Sequence, residues 1–366
     1  MHVPFCTSKC DYCAFATWTD RFDTVDRYVA AIVSEIGRVD TTDVKTLFIG
    51  GGTPSLLTPD HLNAIVSGIK GKTIEATIEV NPETIFNDPG LYSQLGFTRV
   101  SVGVQSLQRD ELERLGRHHD AKEALSAIER ISDCGIEYSL DFIYGLPGSF
   151  STIDDLELVF GRFRPPRHLS IYGLTIESGT RLYFRGEDHP VDDEVANDYE
   201  AISSYVNDLG LSNYEISNFA EVGFESLHNL NYWYQGNYIG LGPSSHSFDG
   251  VNRSWNVFDS LRWLERVEGG GVSVAGSERL NSDQLAFEAA MLSLRTAVGV
   301  PEECVGDADF LSSQDLISVM DGWVILTSKG RLVHSALAND LVINDPLGLR
   351  ERISSRFRQK YPQLGA

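Results

Sequence analysis

The sequence predicts an α/β protein in which six β/α units form an incomplete TIM-like barrel, followed by an α+β extension and a small winged-helix-like module. Two observations predict the barrel. From residue 1 to about residue 175, short apolar segments alternate with segments of helical periodicity, which is typical of parallel β/α units. Each apolar segment also ends in glycine or polar residues, as expected at the face of a barrel where functional residues gather. A doubly wound sheet is the alternative, but it does not explain these strand ends.

The elements of the barrel follow from the positions of the apolar residues. The strands are expected at residues 2–5, 45–49, 73–80, 98–104, 137–143 and 168–174. A first helix is predicted at residues 25–36, and its core-facing positions are expected to be Tyr28, Ile32, Val33 and Ile36. A second helix should begin at Pro59, because Thr58 can cap it and proline suits the first turn.

The alternation ends near residue 190, and we therefore predict three domains. Residues 1–190 form the partial barrel, residues 191–279 the α+β extension, and residues 280–366 the winged-helix-like module. The module is predicted from a long helix near residues 284–295 and a strand at residues 323–326 that runs into a basic turn. Winged-helix units often bind DNA, but the local positive charge is too low to favour this here.

The charge of the chain restricts its partners. Thirty basic residues oppose 52 acidic ones, which gives a net charge of −22. A nucleic-acid partner demands a basic surface, so the composition argues against one, although an acidic proteome is an alternative cause of the charge. No run approaches 18 apolar residues, and the first residues do not resemble a signal peptide. We therefore expect a cytoplasmic protein without an integral membrane segment, in a compartment that keeps clustered thiols reduced.

The first chemical motif is the cysteine loop, residues 6–13, in which Cys6, Cys10 and Cys13 follow a C-x3-C-x2-C spacing. Thiolates this close together favour zinc or iron–sulfur chemistry over a disulfide. A structural zinc site takes four ligands, and the two remaining cysteines lie far along the chain. His2 could complete a Cys3His zinc site, which stays an alternative. Three thiolates are well suited to a [4Fe-4S] cluster that leaves one iron open to another ligand.

The second motif is the glycine run, residues 50–54 (G-G-G-T-P), which follows the second expected strand. Glycine lets the backbone approach a ligand closely. Alone, this run could be an ordinary turn. One strand after the cysteine loop, it resembles the glycine motif with which radical S-adenosylmethionine (SAM) proteins hold the amino group of SAM. The cysteine spacing resembles the same superfamily, in which SAM binds the open iron.

Further motifs narrow this resemblance to one group within the superfamily. They are E-V-N-P-E-T at 79–84, S-V-G-V-Q-S at 101–106, L-G-R-H at 115–118 and D-F-I-Y-G-L-P at 141–147. Together they resemble the oxygen-independent coproporphyrinogen III oxidases and their relatives, the HemW heme chaperones, over essentially the whole chain. The resemblance implies that the partial barrel is a radical SAM barrel.

The resemblance also implies roles for individual residues. The [4Fe-4S] cluster would be held by Cys6, Cys10 and Cys13, with Tyr12 packing near it. The methionyl part of SAM would meet Gly51, Gly52 and Thr53. The polar groups of SAM would be bound by Glu79, Gln105, Arg117 and Asp141. This agrees with their chemistry, because carboxylates accept hydrogen bonds from hydroxyls or an ammonium and arginine pairs with a carboxylate.

Two features separate this chain from the oxidases within that group. The oxidases carry a further cysteine two residues past the third one, where this chain has Phe15. They also have an N-terminal extension before the cysteine loop, whereas here the loop begins almost at residue 1. Both features resemble HemW. Family members usually have a tyrosine six residues before the first cysteine, and that position falls outside this chain.

Residues 228–233 carry an H-N-x-x-Y-W motif that resembles the one associated with heme binding in HemW. Imidazole is a good axial ligand for heme iron, so His228 is the predicted ligand, with Tyr232 and Trp233 covering a porphyrin face. The alternative is a histidine that is hydrogen-bonded inside an aromatic cluster.

The function implied by the resemblance is that of a heme chaperone. It would bind heme and transfer it to acceptor hemoproteins, using a [4Fe-4S] cluster with exchangeable SAM. Its partners would be heme and heme-accepting proteins, with peripheral contact with membrane hemoproteins as one option. The alternative is an oxygen-independent coproporphyrinogen III oxidase, which converts propionates to vinyl groups. A tRNA-modifying radical SAM enzyme is disfavoured by the net charge.

Overall fold

The computed structural model of the chain describes residues 1–149, 151–186 and 190–365. These residues separate into two compact units. The first unit contains Met1–Val191, Ile239–His246 and Ser254–Ser277, and the second contains Asp192–Tyr238, Ser247–Arg253 and Glu278–Ala366. The three-domain division expected from the sequence stays a prediction.

The strands of the described residues are, in chain order, β1 (His2–Val3), β2 (Thr46–Gly51), β3 (Glu75–Val80), β4 (Arg99–Gln105), β5 (Glu137–Tyr144), β6 (His168–Gly173), β7 (Ser212–Asn213), β8 (Asn218–Ala220), β9 (His246–Phe248), β10 (Asn252–Asn256), β11 (Val274–Arg279), β12 (Val300–Pro301), β13 (Ile317–Met320) and β14 (Trp323–Leu326).

The helices are α1 (Val25–Ile36), α2 (Pro59–Val66), α3 (Gly90–Gln94), α4 (Arg109–Leu115), α5 (Ala121–Asp133), α6 (Thr152–Arg162), α7 (Arg181–Arg185), α8 (Asp192–Asp208), α9 (Leu227–Trp233), α10 (Ser260–Glu268), α11 (Ser282–Leu294), α12 (Ala308–Ser313), α13 (Ser328–Leu332), α14 (His334–Asn339) and α15 (Pro346–Lys360). Among the described residues, no helix combines the length and the apolar character that a membrane span requires.

The first unit is built on a parallel sheet in which β1 to β6 lie side by side in sequence order. Strand β4 is buried along nearly its whole length, and Val100, Val102 and Val104 are all inaccessible to solvent. Burial on both faces is typical of parallel strands that have helices on the outside and a packed interior on the other side. All six strands end at one edge, where their following residues gather. The predicted incomplete barrel of β/α units is therefore confirmed.

Helix α1 has the predicted bounds, and Tyr28, Ile32 and Ile36 face the core as expected. The expectation for Val33 was wrong, because this side chain is 37% exposed, whereas Glu35 is only 6% exposed. The reason is a second packing partner on the helix. The carboxylate of Glu35 accepts hydrogen bonds from the indole Nε1 of Trp263 (3.1 Å) and from the backbone nitrogen of Gly242 (2.9 Å). Helical periodicity reports one apolar stripe and misses a polar contact of this kind.

Helix α2 begins at the predicted cap. The Thr58 hydroxyl accepts a hydrogen bond from the backbone nitrogen of His61, and the His61 ring accepts one from the backbone nitrogen of Thr58. Pro59 occupies the first helical position, where its missing N–H costs no hydrogen bond. The predicted start of the helix is confirmed.

The second unit has its own apolar core. Helices α9, α11 and α15 contribute Leu230, Leu294 and Phe357, and strand β14 contributes Val324. Strands β12, β14 and β13 form an antiparallel sheet, in which β13 and β14 make a hairpin with Ile317 opposite Leu326. Helices α11 and α15 with this small antiparallel sheet and its hairpin agree with the winged-helix-like fold expected from the sequence, and the bounds of that module at residues 280–366 stay a prediction.

A buried carboxylate closes the loop between β4 and α4 in the first unit. Asp155, on α6, accepts hydrogen bonds from the backbone nitrogen of Leu107 (2.7 Å) and from the side-chain nitrogen of Gln108 (2.6 Å). Burial raises the pKa of Asp155 from 3.8 to about 6, and the nearby Glu111 adds to the rise. The folded chain therefore keeps a proton that the unfolded chain releases between these pH values. The resulting stabilisation is complete below pH 3.8 and is lost as the pH rises through about 6.

We expect Asp155→Asn to flatten the pH dependence of stability. Between pH 5 and pH 8 the native chain should lose about 1.4 kcal/mol more of its free energy of unfolding than the variant, because only the native chain titrates at this site. The Gln108 amide can rotate to pair with the new amide, so the variant should fold. Urea unfolding at the two pH values measures the difference. The control is Asp154→Asn, which changes an exposed neighbour on the same helix. Equal losses in the Asp155 variant and the native chain would contradict the prediction.

Candidate cofactor site

A cavity of about 340 Å³ opens at the carboxyl ends of the parallel strands in the first unit. We call it the cofactor cavity. Eleven of the twelve site residues predicted from the sequence line it, and they are Cys6, Cys10, Tyr12, Cys13, Gly51, Gly52, Thr53, Glu79, Gln105, Arg117 and Asp141. The twelfth, His228, lies in the second unit. Residues that are far apart in the sequence thus share one site because parallel strands bring their following loops to the same edge.

The cysteine loop is anchored through Asp11. Its backbone nitrogen donates to the carbonyl of Leu115 (3.0 Å), and its buried carboxylate contacts Arg185 at 2.5 Å. Gly116 allows Asp11 to lie this close to the end of α4. It has a φ of +68°, and a Cβ at this position would lie 2.6 Å from the Asp11 carboxyl carbon. The glycine of the L-G-R-H motif therefore lets the end of α4 approach the cysteine loop.

The glycine run lies against the cysteine loop with almost no intervening space. The backbone nitrogen of Gly52 donates to the carbonyl of Val3 (2.7 Å), and that of Thr53 donates to the carbonyl of Phe5 (2.7 Å). A Cβ on Gly52 would lie 2.6 Å from the Phe5 oxygen and 3.0 Å from the Cys6 sulfur. A side chain would fill this space, so the approach of the two loops requires glycine.

Two of the three thiols have side-chain hydrogen-bond donors beside them. The hydroxyl of Thr53 lies 3.6 Å from the Cys6 sulfur, and Nη1 of Arg117 lies 3.5 Å from the Cys10 sulfur. Burial raises the pKa of the Cys6 thiol to about 11, so a bound cation is needed to hold it as a thiolate. Three thiols, two donors and one cavity fit a thiolate-bound iron–sulfur cluster.

The structure gives His2 another partner. Its Nε2 donates to the carbonyl of Ala16 at 2.8 Å. Across residues 1–149, 151–186 and 190–365, no group of three or more His, Cys, Asp or Glu side chains has the arrangement of a single-ion site. The assignment of a cluster therefore rests on the spacing of the three cysteines and on the cavity that they share.

Two half-buried carboxyl groups face the cofactor cavity. Glu79, on β3, accepts a hydrogen bond from the backbone nitrogen of Gly51 (3.0 Å), and Asp141, on β5, accepts one from the hydroxyl of Ser101 (3.0 Å). Burial raises the pKa of Glu79 to about 7, with a further contribution from Asp141, and burial raises the pKa of Asp141 to about 6. A ligand that brings positive charge and hydrogen-bond donors would stabilise both groups in their ionised form.

Gln105 reaches the cavity through an irregular backbone. The pairing of β4 with β5 shifts register between Gly103 and Gln105, and Gln105 has a φ of +66°. A left-handed conformation is unfavourable for a residue with a side chain, and such conformations cluster at functional sites. The bulge re-aims the Gln105 side chain at the end of the strand.

Sequence reasoning assigned no role to Asn81, which also lines the cavity. Its Oδ1 accepts a hydrogen bond from Nη2 of Arg117 (2.8 Å), and its Nδ2 donates to the hydroxyl of Thr53 (3.2 Å). The signal was present in the sequence, since Asn81 directly follows β3 within the E-V-N-P-E-T motif. Ser101 was missed in the same way, because a serine inside a buried strand needs a partner, and that partner is Asp141.

The H-N-x-x-Y-W motif forms α9 in the second unit. The hydroxyl of Ser226 caps this helix by accepting from the backbone nitrogen of Asn229 (3.3 Å). Nε2 of His228 lies 3.0 Å from the hydroxyl of Tyr232, one helical turn later. Burial lowers the pKa of His228 to about 3, so the half-buried imidazole is neutral and its lone pair can serve as a metal ligand.

The neighbouring aromatic residues of this motif divide between two faces of α9. The ring of Tyr232 makes an edge contact with Tyr238, whereas Trp233 packs against the core of the second unit and lies beneath the guanidinium of Arg295 (3.9 Å). The reason is geometric. Tyr232 is four residues after His228 and shares its helix face, whereas Trp233 is five residues after His228 and does not. The role of Trp233 in covering a porphyrin stays a prediction.

Comparison with known proteins identifies the family. Residues 1–157 match the family model of the radical SAM superfamily. The heme chaperone HemW of Mycobacterium tuberculosis is 33% identical over 93% of this chain and 94% of its own length. The HemW of Bacillus subtilis is 31% identical over 91% of this chain and 96% of its own length.

The fold is also that of a solved structure, the radical SAM enzyme coproporphyrinogen III oxidase (HemN) of Escherichia coli. The match has a TM-score of 0.77 at 20% identity and covers 93% of this chain and 88% of that one. Identity at this level shows a shared fold. The two HemW proteins are more similar to this chain in sequence, and their similarity shows that the chain belongs to the HemW family of the radical SAM superfamily.

Proposed function

We propose that this chain is a heme chaperone that binds heme and transfers it to acceptor hemoproteins, and that it carries a [4Fe-4S] cluster with exchangeable SAM. The observation that carries the proposal is the similarity to named HemW heme chaperones along 93% of the chain. The H-N-x-x-Y-W motif on α9 supports it, because this motif supplies a neutral imidazole.

In this proposal, Cys6, Cys10 and Cys13 hold the cluster, and Tyr12 lies against it. When bound, the cluster and SAM supply an iron with an exchangeable ligand and a sulfonium that can be cleaved by an electron. The protein's own groups bind and orient this ligand, and they are Gly51, Gly52, Thr53, Glu79, Gln105, Arg117 and Asp141. Glu79 and Asp141 accept hydrogen bonds, whereas Arg117 donates them.

The heme site in this proposal is on α9. Nε2 of His228 is within hydrogen-bonding distance of the Tyr232 hydroxyl, and this imidazole would hold the heme iron in place of that hydrogen bond. Tyr232 and Tyr238 present a partly exposed aromatic surface beside the imidazole, which suits the flat apolar body of a porphyrin.

The proposed partners follow from the same function and from charge. They are heme-accepting proteins, reached in the cytoplasm, where thiols stay reduced, with peripheral contact with membrane hemoproteins included. Nucleic acid is not a proposed partner, because the net charge of −22 opposes binding to phosphates.

An anaerobic hemin titration of the reconstituted protein tests the proposal. We expect saturation near one heme per chain and weaker binding by His228→Ala. Loss of an outer-shell partner already costs about 10–100-fold in metal affinity, so loss of the ligand should cost at least about tenfold. The matched control is His61→Ala, which removes a histidine on α2 that contacts Asp26 and should leave heme binding unchanged.

The titration separates three results. Weakened binding by the His228 variant alone supports the chaperone with His228 as the ligand. Equal binding by native protein and variant keeps the chaperone but contradicts His228 as the ligand. Absence of saturable binding by the native protein contradicts the chaperone, and an anaerobic assay for vinyl products from coproporphyrinogen III then tests the oxidase.

A further inference from the structure

The two hydrogen-bond donors beside the cluster cysteines share one neighbour. The hydroxyl of Thr53 faces the Cys6 sulfur at 3.6 Å, and Nη1 of Arg117 faces the Cys10 sulfur at 3.5 Å. Between these donors lies Asn81, which is bonded to Thr53 at 3.2 Å and to Arg117 at 2.8 Å. A continuous chain of hydrogen bonds therefore runs from one cysteine sulfur to the other through this single side chain.

The orientation of the Asn81 amide follows from its partners. A guanidinium carries only donors, so the amide oxygen must face Arg117. The amide nitrogen then faces the hydroxyl of Thr53 and donates to it. Because this hydroxyl oxygen accepts from Asn81, its own hydrogen remains for the Cys6 sulfur. Asn81 thereby determines the direction in which the Thr53 hydroxyl donates.

Asn81 also helps to determine the direction of Arg117. Both hydrogens on Nη2 are used, one by Asn81 Oδ1 and the other by the carbonyl of Gly103 (2.7 Å). A guanidinium is planar and rigid, so these two bonds fix the position of Nη1 next to the Cys10 sulfur. A Cβ on Gly103 would lie 3.3 Å from Asn81 Oδ1, and the absence of a side chain there leaves room for the arrangement.

We propose that Asn81 is a positioning residue for the iron–sulfur cluster, which orients Thr53 and Arg117 so that hydrogen bonds reach two of the three cysteine sulfurs and raise the reduction potential. Hydrogen bonds to cluster sulfurs stabilise the extra negative charge of the reduced form, so they raise the potential. This inference rests on the proposed cluster.

The test is an electron paramagnetic resonance redox titration of the reconstituted protein without SAM, accompanied by iron analysis. We expect Asn81→Ala to lower the midpoint potential. At the native midpoint, the ratio of reduced to oxidised cluster should fall at least about threefold, which is about 28 mV at 59 mV per tenfold for one electron. A residue that acts only on the fold would change the iron content or the thermal stability and leave the midpoint in place.

Two further variants test whether Asn81 acts on the midpoint potential through the Thr53 hydroxyl. Asn81→Asp keeps the size and the bond to Arg117, but its second oxygen accepts where the amide nitrogen donated. The Thr53 hydroxyl then donates to that oxygen and not to the Cys6 sulfur, and the added negative charge acts in the same direction, so the midpoint should fall. Thr53→Val removes the donor itself and should also lower the midpoint. Combined with Asn81→Ala, its effect should be smaller than the sum of the two, because both variants remove the same bond.

The matched control is Ser55→Ala. The hydroxyl of Ser55 bonds to that of Thr84 (2.5 Å), in the turn that follows Asn81, and touches neither sulfur. This variant should keep the native midpoint. A native midpoint in iron-loaded Asn81→Ala overturns the proposal. If that variant takes up no iron, a native midpoint in Asn81→Asp or in Thr53→Val overturns it. Failure of the native protein to take up iron contradicts the proposed cluster itself, and this result is seen before any variant is compared.

Discussion

Replacing Cys10 with serine is expected to abolish the uptake of iron. After anaerobic reconstitution the native chain should hold about four irons and four sulfides, by analogy with other cubane clusters, and Cys10→Ser close to none. Among the residues that the structure describes, three cysteines line the cofactor cavity, so one substitution leaves two thiolates. A serine hydroxyl stays protonated and is a hard ligand, which suits iron–sulfur chemistry poorly. Iron and sulfide analysis with the visible absorption spectrum measures the loss.

The matched control for this experiment is Cys134→Ser. Cys134 is a free thiol outside the cofactor cavity, and its sulfur donates to the carbonyl of Ile131 at 3.2 Å, a bond that serine can also make. The control should hold as much iron as the native chain. Stoichiometric zinc without iron in the native protein, or full iron uptake by Cys10→Ser, would falsify the cluster assignment.

The largest effect on stability is expected for Glu35→Ala. The carboxylate of Glu35 accepts from Trp263 and from the backbone of Gly242, and both donors are in the first unit. The ring of Trp263 is completely buried, so bulk solvent does not reach Nε1 in the native chain to supply another acceptor. A buried donor without a partner costs about 1–3 kcal/mol, and two such donors should lower the free energy of unfolding by about 2–6 kcal/mol.

Chemical denaturation of the native chain and two variants measures this effect. Glu35→Gln keeps one acceptor oxygen and should lie between the native chain and Glu35→Ala. The control Glu157→Ala removes an exposed glutamate on α6 and should change stability by less than about 0.5 kcal/mol. A loss in Glu35→Ala no larger than in this control would show that the two hydrogen bonds contribute nothing.

The sequence predicted the parts of the fold that depend on neighbouring residues. The start of α2 could be read from Thr58 and Pro59, because a helix cap is a local structure. The gathering of the cysteine loop, the glycine run and the later motifs could also be read, since parallel strands bring their ends to one edge. The spacing of the cysteines, which predicts the iron–sulfur cluster, is visible in the sequence alone.

Features that depend on distant residues could not be predicted. Val33 is exposed against expectation and Glu35 is buried, because residues more than 200 positions away pack on α1. The left-handed backbone of Gln105 results from a shift in strand pairing, which leaves no mark in the sequence. Asn81 was visible in a motif, but its role depends on where Thr53 and Arg117 meet in space.

The first unit is assembled from separated parts of the chain, and this has a consequence for its biosynthesis. Strand β1 forms the edge of the parallel sheet, and the backbone nitrogen of His2 donates to the carbonyl of Leu241 (2.9 Å). The first segment of this unit ends at Val191, roughly 50 residues before Leu241. At a synthesis rate of about 5–20 residues per second, the ribosome needs about 3–10 s to add these residues. During that interval the newborn sheet has an unprotected edge. Rapid translation of this stretch would shorten the period in which two such edges can pair and aggregate, and a nascent-chain holdase would cover the edge during it.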